Sequence, residues 1–183
     1  MLSHLAVTAG TLATLWMTPA PEALSIPMEE WQPMVGDRLV ADTTENIGYL
    51  IHSDNSAYLT FPIVTGQQRV VHYIGKTYNA TTPNWHWVVK TDHILSDRIT
   101  FGPTGRFLRM YKDGKSYTSY GIHEHRDEEY MFALDPRYES MGCVIVQTAI
   151  MDLIEDTYRR NGKTLDVVTT EKFAIESIKP GEL

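Results

Sequence analysis

Short segments of β-forming residues recur along this chain, and they constrain its fold more than any other feature. Between residues 37 and 123, runs rich in aliphatic, β-branched and aromatic residues alternate with turn formers such as Asp54, Asn55 and Gly66. This alternation is typical of strands joined by tight connections, and Asp113 followed by Gly114 is typical of a hairpin turn. The predicted strands are residues 37–41, 47–52, 57–64, 69–74, 85–89, 98–101, 106–111 and 116–123.

One later segment has a different periodicity. Between Thr148 and Arg160, apolar residues recur at three- and four-residue spacing, which predicts an amphipathic helix. An Asn-Gly pair then favours the end of the helix, and residues 164–169 have the composition of a strand. The sequence therefore predicts a mainly β domain with one principal α-helix packed against the sheet. The apolar positions of the helix are Ile150, Leu153, Ile154 and Tyr158.

Size and charge narrow the class of protein. A chain of 183 residues suits a single domain with a proper core. Its formal net charge is −7 and its isoelectric point is near 5.4, and its few Lys-Arg clusters are isolated. Nucleic-acid binding needs a basic stripe or patch. We therefore expect no nucleic-acid partner.

The N-terminal region has features of an export signal. Residues 5–17 form an apolar run that is too short to span a membrane, and residues 18–23 are mostly small, which is compatible with cleavage after Ala23. Residues 1–4 lack Lys and Arg, so the alternatives are a helix packed on the body or a misassigned start. We expect a signal peptide over 1–23, a linker over 24–36, a single domain over 37–183, and an exported protein.

Cys143 is the only cysteine, and it has two interpretations. A single cysteine is most often a small buried hydrophobe. In an exported protein, however, structural cysteines are usually paired, so an unpaired thiol points to reactivity. Gly142 allows a tight turn and close approach of a substrate. Because the following residues predict a helix, a thiol at its N-terminus would be favoured as a thiolate.

Two histidines precede the cysteine and supply candidate bases. His123 and His125 are two residues apart, so on a strand they would point to the same face. A histidine beside a thiol can take its proton and return it to a leaving amine. The pair could also bind a metal, but no third or fourth ligand stands near it, so we expect no metal site. Residues 124–129 are mostly charged, and we expect them either to face water or to lie over the site.

These residues resemble a known family. Tyr120–Gly121–Ile122–His123, followed by Ser140, Gly142 and Cys143, then a helix and an Asn-Gly turn into a Val-rich strand, is similar to the catalytic domain of L,D-transpeptidases of the YkuD type. The resemblance covers roughly residues 37–170, and the His-to-Cys motif is its most specific part. Similar upstream segments are residues 48–52, residues 61–66, Thr82–Pro83 and residues 101–103.

The resemblance implies a fold and a chemistry. The family fold is a β-sandwich or barrel-like domain, with no cofactor. Its cysteine attacks a peptidoglycan stem peptide between a diamino acid at position three and D-alanine at position four, and forms an acyl-enzyme. A second stem usually accepts the acyl group, and some members attach a wall protein instead. The expected partners are therefore peptidoglycan stem peptides, with a wall-attached protein as an alternative acceptor, in a periplasmic or wall-facing location. The oligomeric state is not predicted.

The resemblance also assigns roles. Cys143 would be the nucleophile, and backbone N–H groups at Gly142 and Cys143 would form the oxyanion hole. Ser140 matches a Ser/Thr that orients the base or the loop; otherwise it is a turn former. Between the histidines, the Tyr-Gly-Ile-His match favours His123, whereas the shorter distance to Ser140 favours His125. We prefer His125 as the base, with His123 orienting it or contacting the substrate.

Two positions depart from the family pattern. Met141 stands where histidine is frequent, and Ile145 stands where Arg or Asn is frequent. These changes mark a divergent member. They leave open an L,D-carboxypeptidase or endopeptidase that uses the same Cys-His site, and a catalytically idle domain that binds the wall.

Overall fold

The computed structural model of the protein describes residues 22–73, 75–94, 98 and 100–181. Strands dominate this part of the chain. The expected signal peptide lies outside it, except for residues 22 and 23. The strands are β1 (Leu24–Ser25), β2 (Arg38–Asp42), β3 (Ile47–Ile51), β4 (Ala57–Pro62), β5 (Thr65–Gly66), β6 (Val70–Tyr73), β7 (Lys76–Asn79), β8 (His86–Ile94), β9 (Arg106–Lys112), β10 (Ser116–His123), β11 (Tyr138–Ser140), β12 (Val144–Ile145) and β13 (Leu165–Thr170).

Among the described residues, most strands join one curled nine-stranded sheet. Its order is β1-β4-β3-β2-β13-β8-β9-β10-β12, and β5 with β11 and β6 with β7 form two small separate pairs. Neighbouring strands β8, β9 and β10 run antiparallel. The edge strand β12 runs parallel to β10. This parallel edge fixes the position of Cys143, which directly precedes β12.

The hairpin between β9 and β10 forms for the reason that the sequence indicates. Asp113 and Gly114 both have positive φ angles, 50° and 64°, as the mirror-image turns of tight hairpins require. The hairpin then extends β10 to His123. A register shift falls between Tyr117 and Gly121, so β10 is irregular just before it reaches the cysteine.

The described helices are α1 (Glu128–Ala133) and α2 (Thr148–Arg160), with short 3₁₀ turns at Met28–Glu30 and Ile175–Ser177. The apolar face of α2 packs on one side of the sheet and completes the main core. No helix in the described part of the chain is long and apolar enough to cross a membrane. The largest fully buried members of this core are Leu39, Leu50, Ile63, Trp87, Leu108, Met110, Ile122, Met151, Ile154, Tyr158 and Leu165.

The opposite face of the sheet has a smaller apolar cluster. Val40, Tyr49 and Ile51 lie there under Phe173 and the buried Ile178. The C-terminal segment therefore covers part of the face opposite α2.

The expected fold class is confirmed: the protein is mainly β, with one sizeable helix after the cysteine. The helix has the predicted bounds, and β10 matches its predicted segment. The predicted strand over 98–101 is wrong in its described part, because Arg98, Thr100 and Phe101 lie in turns. The short elements β7, β11 and α1 were not predicted.

Residues 24–36, which we expected to be a linker, are packed against the domain. Leu24 and Ser25 pair with β4, and Trp31 is only 2% exposed. Its ring stacks on His52 with centroids 4.1 Å apart. This lead-in is therefore part of the packed body of the protein.

Candidate active site

Cys143 lies at the edge of the sheet, beside β10. The parallel register pairs Ile122 with Val144, so Cys143, one residue earlier, is level with Gly121. The thiol sulfur lies 4.0 Å from the carbonyl oxygen of Ser119. The residue is half-buried.

Ser140 holds the turn that leads into the cysteine. Its hydroxyl donates a hydrogen bond to the Cys143 carbonyl oxygen at 2.6 Å and accepts one from the Gly142 N–H at 3.1 Å. Gly142 has a φ of 111°, which side chains other than hydrogen rarely tolerate. An added Cβ there would also lie 2.5 Å from the Tyr120 ring. The turn therefore requires glycine for both backbone and space.

A second brace reaches this turn from two distant segments. The Thr82 hydroxyl donates to the Gly142 carbonyl at 3.0 Å and accepts from the Gly66 N–H at 2.8 Å. A Cβ at Gly66 would lie 1.9 Å from the Ala80 carbonyl oxygen, so the close approach needs glycine. Sequence reasoning placed Gly66 and Thr82 in family-like segments but did not assign them to the site.

Two tyrosines flank the thiol. Tyr120 packs on Gly142, and Tyr78 comes from the small β6–β7 pair. Burial raises the pKa of both phenols, and the charge of an ionised Cys143 raises them further. Tyr78 was not identified from the sequence because it lies far from the cysteine along the chain.

The thiol is not activated in this conformation. Burial raises the pKa of Cys143 to about 11, although a hydrogen bond from the Gly121 backbone and the positive charge of Arg109 act in the opposite direction. The expectation of a helix N-terminus directly after the thiol is wrong. Cys143 leads into β12, and α2 begins only at Thr148. Burial therefore outweighs the local positive charges.

His123 ends β10 and is only 4% exposed. It is paired with Ile145 across the parallel edge, so its side chain and that of Cys143 project from the same face of the sheet. Its Nδ1–H donates to the Glu124 carbonyl oxygen at 2.5 Å. The ring lies 5.0 Å from Phe101 and 5.8 Å from Phe107, between centroids. Burial lowers the pKa of His123 to about 4, so the imidazole is neutral at pH 7.

His125 lies beyond the end of β10. Its Nδ1 accepts the Asp127 N–H at 3.1 Å, and the residue is partly exposed. Among the described residues, neither histidine makes a hydrogen bond to the thiol. The structure thus brings His123 to the face that carries Cys143 and places His125 in the loop that follows.

The charged segment 124–129 is not simply a solvated loop. The Glu124 side chain is fully buried and forms an ion pair with Arg106. The Glu128 carboxylate accepts hydrogen bonds from the N–H and hydroxyl of Thr148, at 2.8 and 2.9 Å, where a negative charge favours the N-terminus of α2. Two of its charges are therefore structural. They fix the loop between the histidines and the cysteine.

The two family departures have different surroundings. Ile145 is 2% exposed and packs with Val64 and Met131 in a small apolar cluster. Met141 is 37% exposed. The described residues contain no group of three or more metal-ligating side chains. The site therefore consists of a thiol, nearby imidazoles, phenols and a braced backbone turn.

Comparison with solved structures identifies similar folds. The chain is similar to an L,D-transpeptidase of Xylanimonas cellulosilytica, with a TM-score of 0.52 and 20% identity over 76% of this chain and 63% of that one. It is also similar to Bd1075 of Bdellovibrio bacteriovorus, with a TM-score of 0.50 and 11% identity over 83% of this chain and 52% of that one. The chain thus spans less than two thirds of either structure.

No curated protein sequence matches the chain at a significant level. The sequence model of the L,D-transpeptidase catalytic domain, YkuD, matches residues 36–159, which is more than half of the chain. That match includes the braced turn, both histidines and Cys143. The chain therefore belongs to the L,D-transpeptidase (YkuD) catalytic domain family.

Proposed function

We propose that the protein is an exported peptidoglycan-modifying enzyme that transfers acyl groups from stem peptides through a Cys143 acyl-enzyme. The observation that carries this proposal is the turn of Ser140, Gly142 and Cys143. The Ser140 hydroxyl braces this turn from within, and Thr82, itself held by the Gly66 N–H, braces it from a distant segment. The turn presents the only thiol of the chain on the face of the sheet that carries His123. Such rigidity suits a nucleophile whose substrate must be held in a defined geometry.

In the proposed first step, the Cys143 sulfur attacks the carbonyl carbon of the diamino acid. The proton of the thiol passes to an imidazole, and the electron pair of the carbonyl moves onto its oxygen. Collapse of this intermediate breaks the amide bond, and the imidazole gives its proton to the departing D-alanine nitrogen. The thioester then reacts with an amine of a second stem or with water.

His123 is our candidate for the imidazole. It is on the strand next to Cys143, and its side chain shares the face of the thiol, whereas His125 lies in the loop beyond the end of β10. This assignment reverses our preference from the sequence. His125, whose positive charge would lower the pKa of His123, is assigned to the substrate side of the loop.

The Cys143 N–H is our candidate donor to the oxyanion. The Gly142 N–H, which the sequence also favoured for this role, already donates to Ser140. Ser140 is assigned to positioning, because its hydroxyl fixes both ends of the turn. Loss of this hydroxyl would move the sulfur and the adjacent amide together.

The test is product analysis by mass spectrometry. The purified protein is incubated with disaccharide-tetrapeptide muropeptides and, separately, with 3-3 cross-linked dimers. The variants are Cys143→Ala, His123→Ala and His125→Ala. The matched control is His86→Ala, because this histidine is on β8 and its side chain is 52% exposed.

We expect dimers from the tetrapeptides, complete loss in Cys143→Ala, a large loss in His123→Ala and near-normal activity in His86→Ala. Tripeptides or cleaved dimers alone would assign hydrolysis, which the apolar Ile145 favours because it replaces a polar family residue. Loss in His125→Ala with activity retained in His123→Ala would exchange the roles of the histidines. Product formation by Cys143→Ala would refute the proposal.

A further inference from the structure

Arg109 lies in the same row of the sheet as the proposed nucleophile. It is on β9 and pairs with Gly121 of β10, and Cys143 is level with Gly121 on the other side. Neighbouring strands are about 4.8 Å apart, so Arg109 and Cys143 are separated by two strand spacings. Gly121 has no side chain, and the ring of Phe107 fills the space beside it on this face, between Arg109 and Cys143.

The guanidinium of Arg109 is held in place but is not neutralised. One nitrogen, Nη1, donates to the Thr118 carbonyl oxygen at 2.6 Å. The group also lies 5.0 Å from the ring centroid of Phe107 and 4.7 Å from that of Tyr117. It has no ion pair with a carboxylate in the described part of the chain.

Consecutive backbone carbonyls connect this cation to the thiol. Thr118 O accepts from Arg109, and Ser119 O lies 4.0 Å from the Cys143 sulfur. Both carbonyls belong to the irregular part of β10, where the register shifts. Consecutive Cα atoms are about 3.8 Å apart, so the guanidinium and the sulfur each contact a backbone carbonyl of the same short segment, from its two sides.

We propose that Arg109 binds a carboxylate of the acyl donor next to the bond that Cys143 attacks. This inference rests on the proposed function. Guanidinium is planar and presents five N–H donors that match a carboxylate, and the backbone carbonyl uses only part of that set. The two rings restrict the side chain, so binding costs little additional ordering. Arg109 therefore determines which donors are accepted.

Two donor groups carry the required chemistry. One is the terminal carboxylate of the departing D-alanine. The other is the side-chain carboxylate of diaminopimelate when that is the diamino acid at position three. Lysine in place of diaminopimelate removes the second group, and a C-terminal amide removes the first.

The main experiment measures kcat/KM for three synthetic donors. The full donor has diaminopimelate at position three and D-alanine at position four. The second donor has D-alaninamide at position four, and the third has lysine at position three. The enzymes are wild type, Arg109→Gln, Arg109→Lys and the control Arg160→Gln, whose arginine is exposed and pairs with Asp156 on the surface. We expect Arg109→Gln to lower kcat/KM for the full donor by about 10- to 100-fold, as for loss of a charge-assisted hydrogen bond. Arg109→Lys should recover part of this loss, and Arg160→Gln should match wild type.

If wild type and Arg109→Gln have the same kcat/KM for one modified donor, the carboxylate missing from that donor is the one that Arg109 binds. If this holds only for the alaninamide donor, the leaving group is bound. If it holds only for the lysine donor, the side chain of position three is bound. An equal effect of Arg109→Gln on all three donors, or no effect on any, would overturn the inference.

A second readout does not depend on turnover. The rate of Cys143 alkylation is measured with the anion iodoacetate and with neutral iodoacetamide. Arg109→Gln should lower the ratio of the two rates at least fivefold, while Arg109→Lys and Arg160→Gln should preserve it. If wild type consumes no donor, the proposed function fails and this ratio decides the inference by itself. A ratio unchanged within twofold in Arg109→Gln would then overturn it.

Discussion

Arg106 and Arg109 are on the same strand, yet the structure treats their charges in opposite ways. Arg106 points to the side of α2, where it pairs with the buried Glu124 and lies 2.7 and 2.8 Å from Asp152 and Glu155. These partners raise its pKa although burial opposes them. Arg109 points to the side of Cys143 and packs on aromatic rings.

The comparison distinguishes Arg106, whose charge stabilises the fold, from Arg109, whose charge has no carboxylate partner among the described residues. The network around Arg106 joins β9, the loop after His123 and α2, and every charge in it has an internal partner. On the other face, Arg109 contacts a backbone carbonyl and two rings but no carboxylate of the described residues. One arginine therefore stabilises the loop between His123 and Cys143, whereas the other has no carboxylate partner in the described part of the chain.

The largest expected effect concerns the structural side of this comparison. Arg106→Gln should lower the free energy of unfolding by about 3–5 kcal/mol, because it leaves the buried carboxylate of Glu124 without its cation. Urea denaturation followed by circular dichroism measures this change. Arg160→Gln is the surface control, with an expected loss below about 1 kcal/mol. A loss below about 1 kcal/mol in Arg106→Gln would remove the distinction between the two arginines.

The second prediction tests whether the positive charge of Arg109 is enough to ionise the Cys143 thiol. Burial raises the pKa of Cys143 from 9.0 to about 11, so the thiolate fraction at pH 7 should be about one hundredth of that of an ordinary thiol. The rate of alkylation by iodoacetamide should rise about tenfold per pH unit up to pH 10. The unfolded protein in urea is the reference. A plateau below pH 8 would mean that Arg109 and the backbone donors outweigh burial.

The third prediction concerns His123, which is buried on the face of the sheet that carries Cys143. Its pKa is about 4 in the folded protein and 6.5 as the ordinary value. The unfolded chain therefore binds a proton between these pH values and the folded one does not. Full stability is present above pH 6.5, and about 3 kcal/mol should be lost as the pH falls to 4. Urea unfolding of wild type and His123→Asn at pH 7 and pH 4 isolates this contribution; equal pH dependence in both would contradict it.

The smallest expected effect completes the comparison. Arg109→Gln should change the free energy of unfolding by about 1 kcal/mol or less, because it removes ring contacts and one hydrogen bond at a half-exposed site. The same urea titration measures it beside Arg106→Gln. A loss as large as that of Arg106→Gln would assign Arg109 to structure rather than to ligand binding.

Local patterns predicted α2 and the β9–β10 hairpin well, but the longest strand, β8, extends to Ile94 beyond its predicted end at residue 89. The bounds of α2 follow from its apolar spacing and the Asn-Gly pair, and the β9–β10 hairpin follows from Asp113 and Gly114. By contrast, β11 and β12 have only three and two residues, too few for a periodic pattern. Phe101 was assigned to a strand for its composition, but it lies in a turn and contacts His123.

The site was predicted only in its contiguous part. Cys143, Gly142, Ser140 and the histidines form a recognisable motif, whereas Thr82, Tyr78 and Arg109 are brought to the surroundings of the cysteine turn by strand pairing and folding of distant segments. Their identity as site residues depends on register, which one sequence does not specify. The same limit explains why the sequence favoured His125, since only the parallel pairing of β10 with β12 puts His123 on the face of the thiol.

The brace between Thr82 and Gly142 has a consequence for how the protein matures. This hydrogen bond joins residues 60 positions apart, and it depends on Gly66, which itself sits on a strand paired with β11. Contacts of such sequence separation form late, because closing the intervening loops costs entropy before any bond repays it. A newly made, incompletely folded chain thus carries its cysteine on an unformed turn. Cys143 therefore reaches its final position only when the fold is complete.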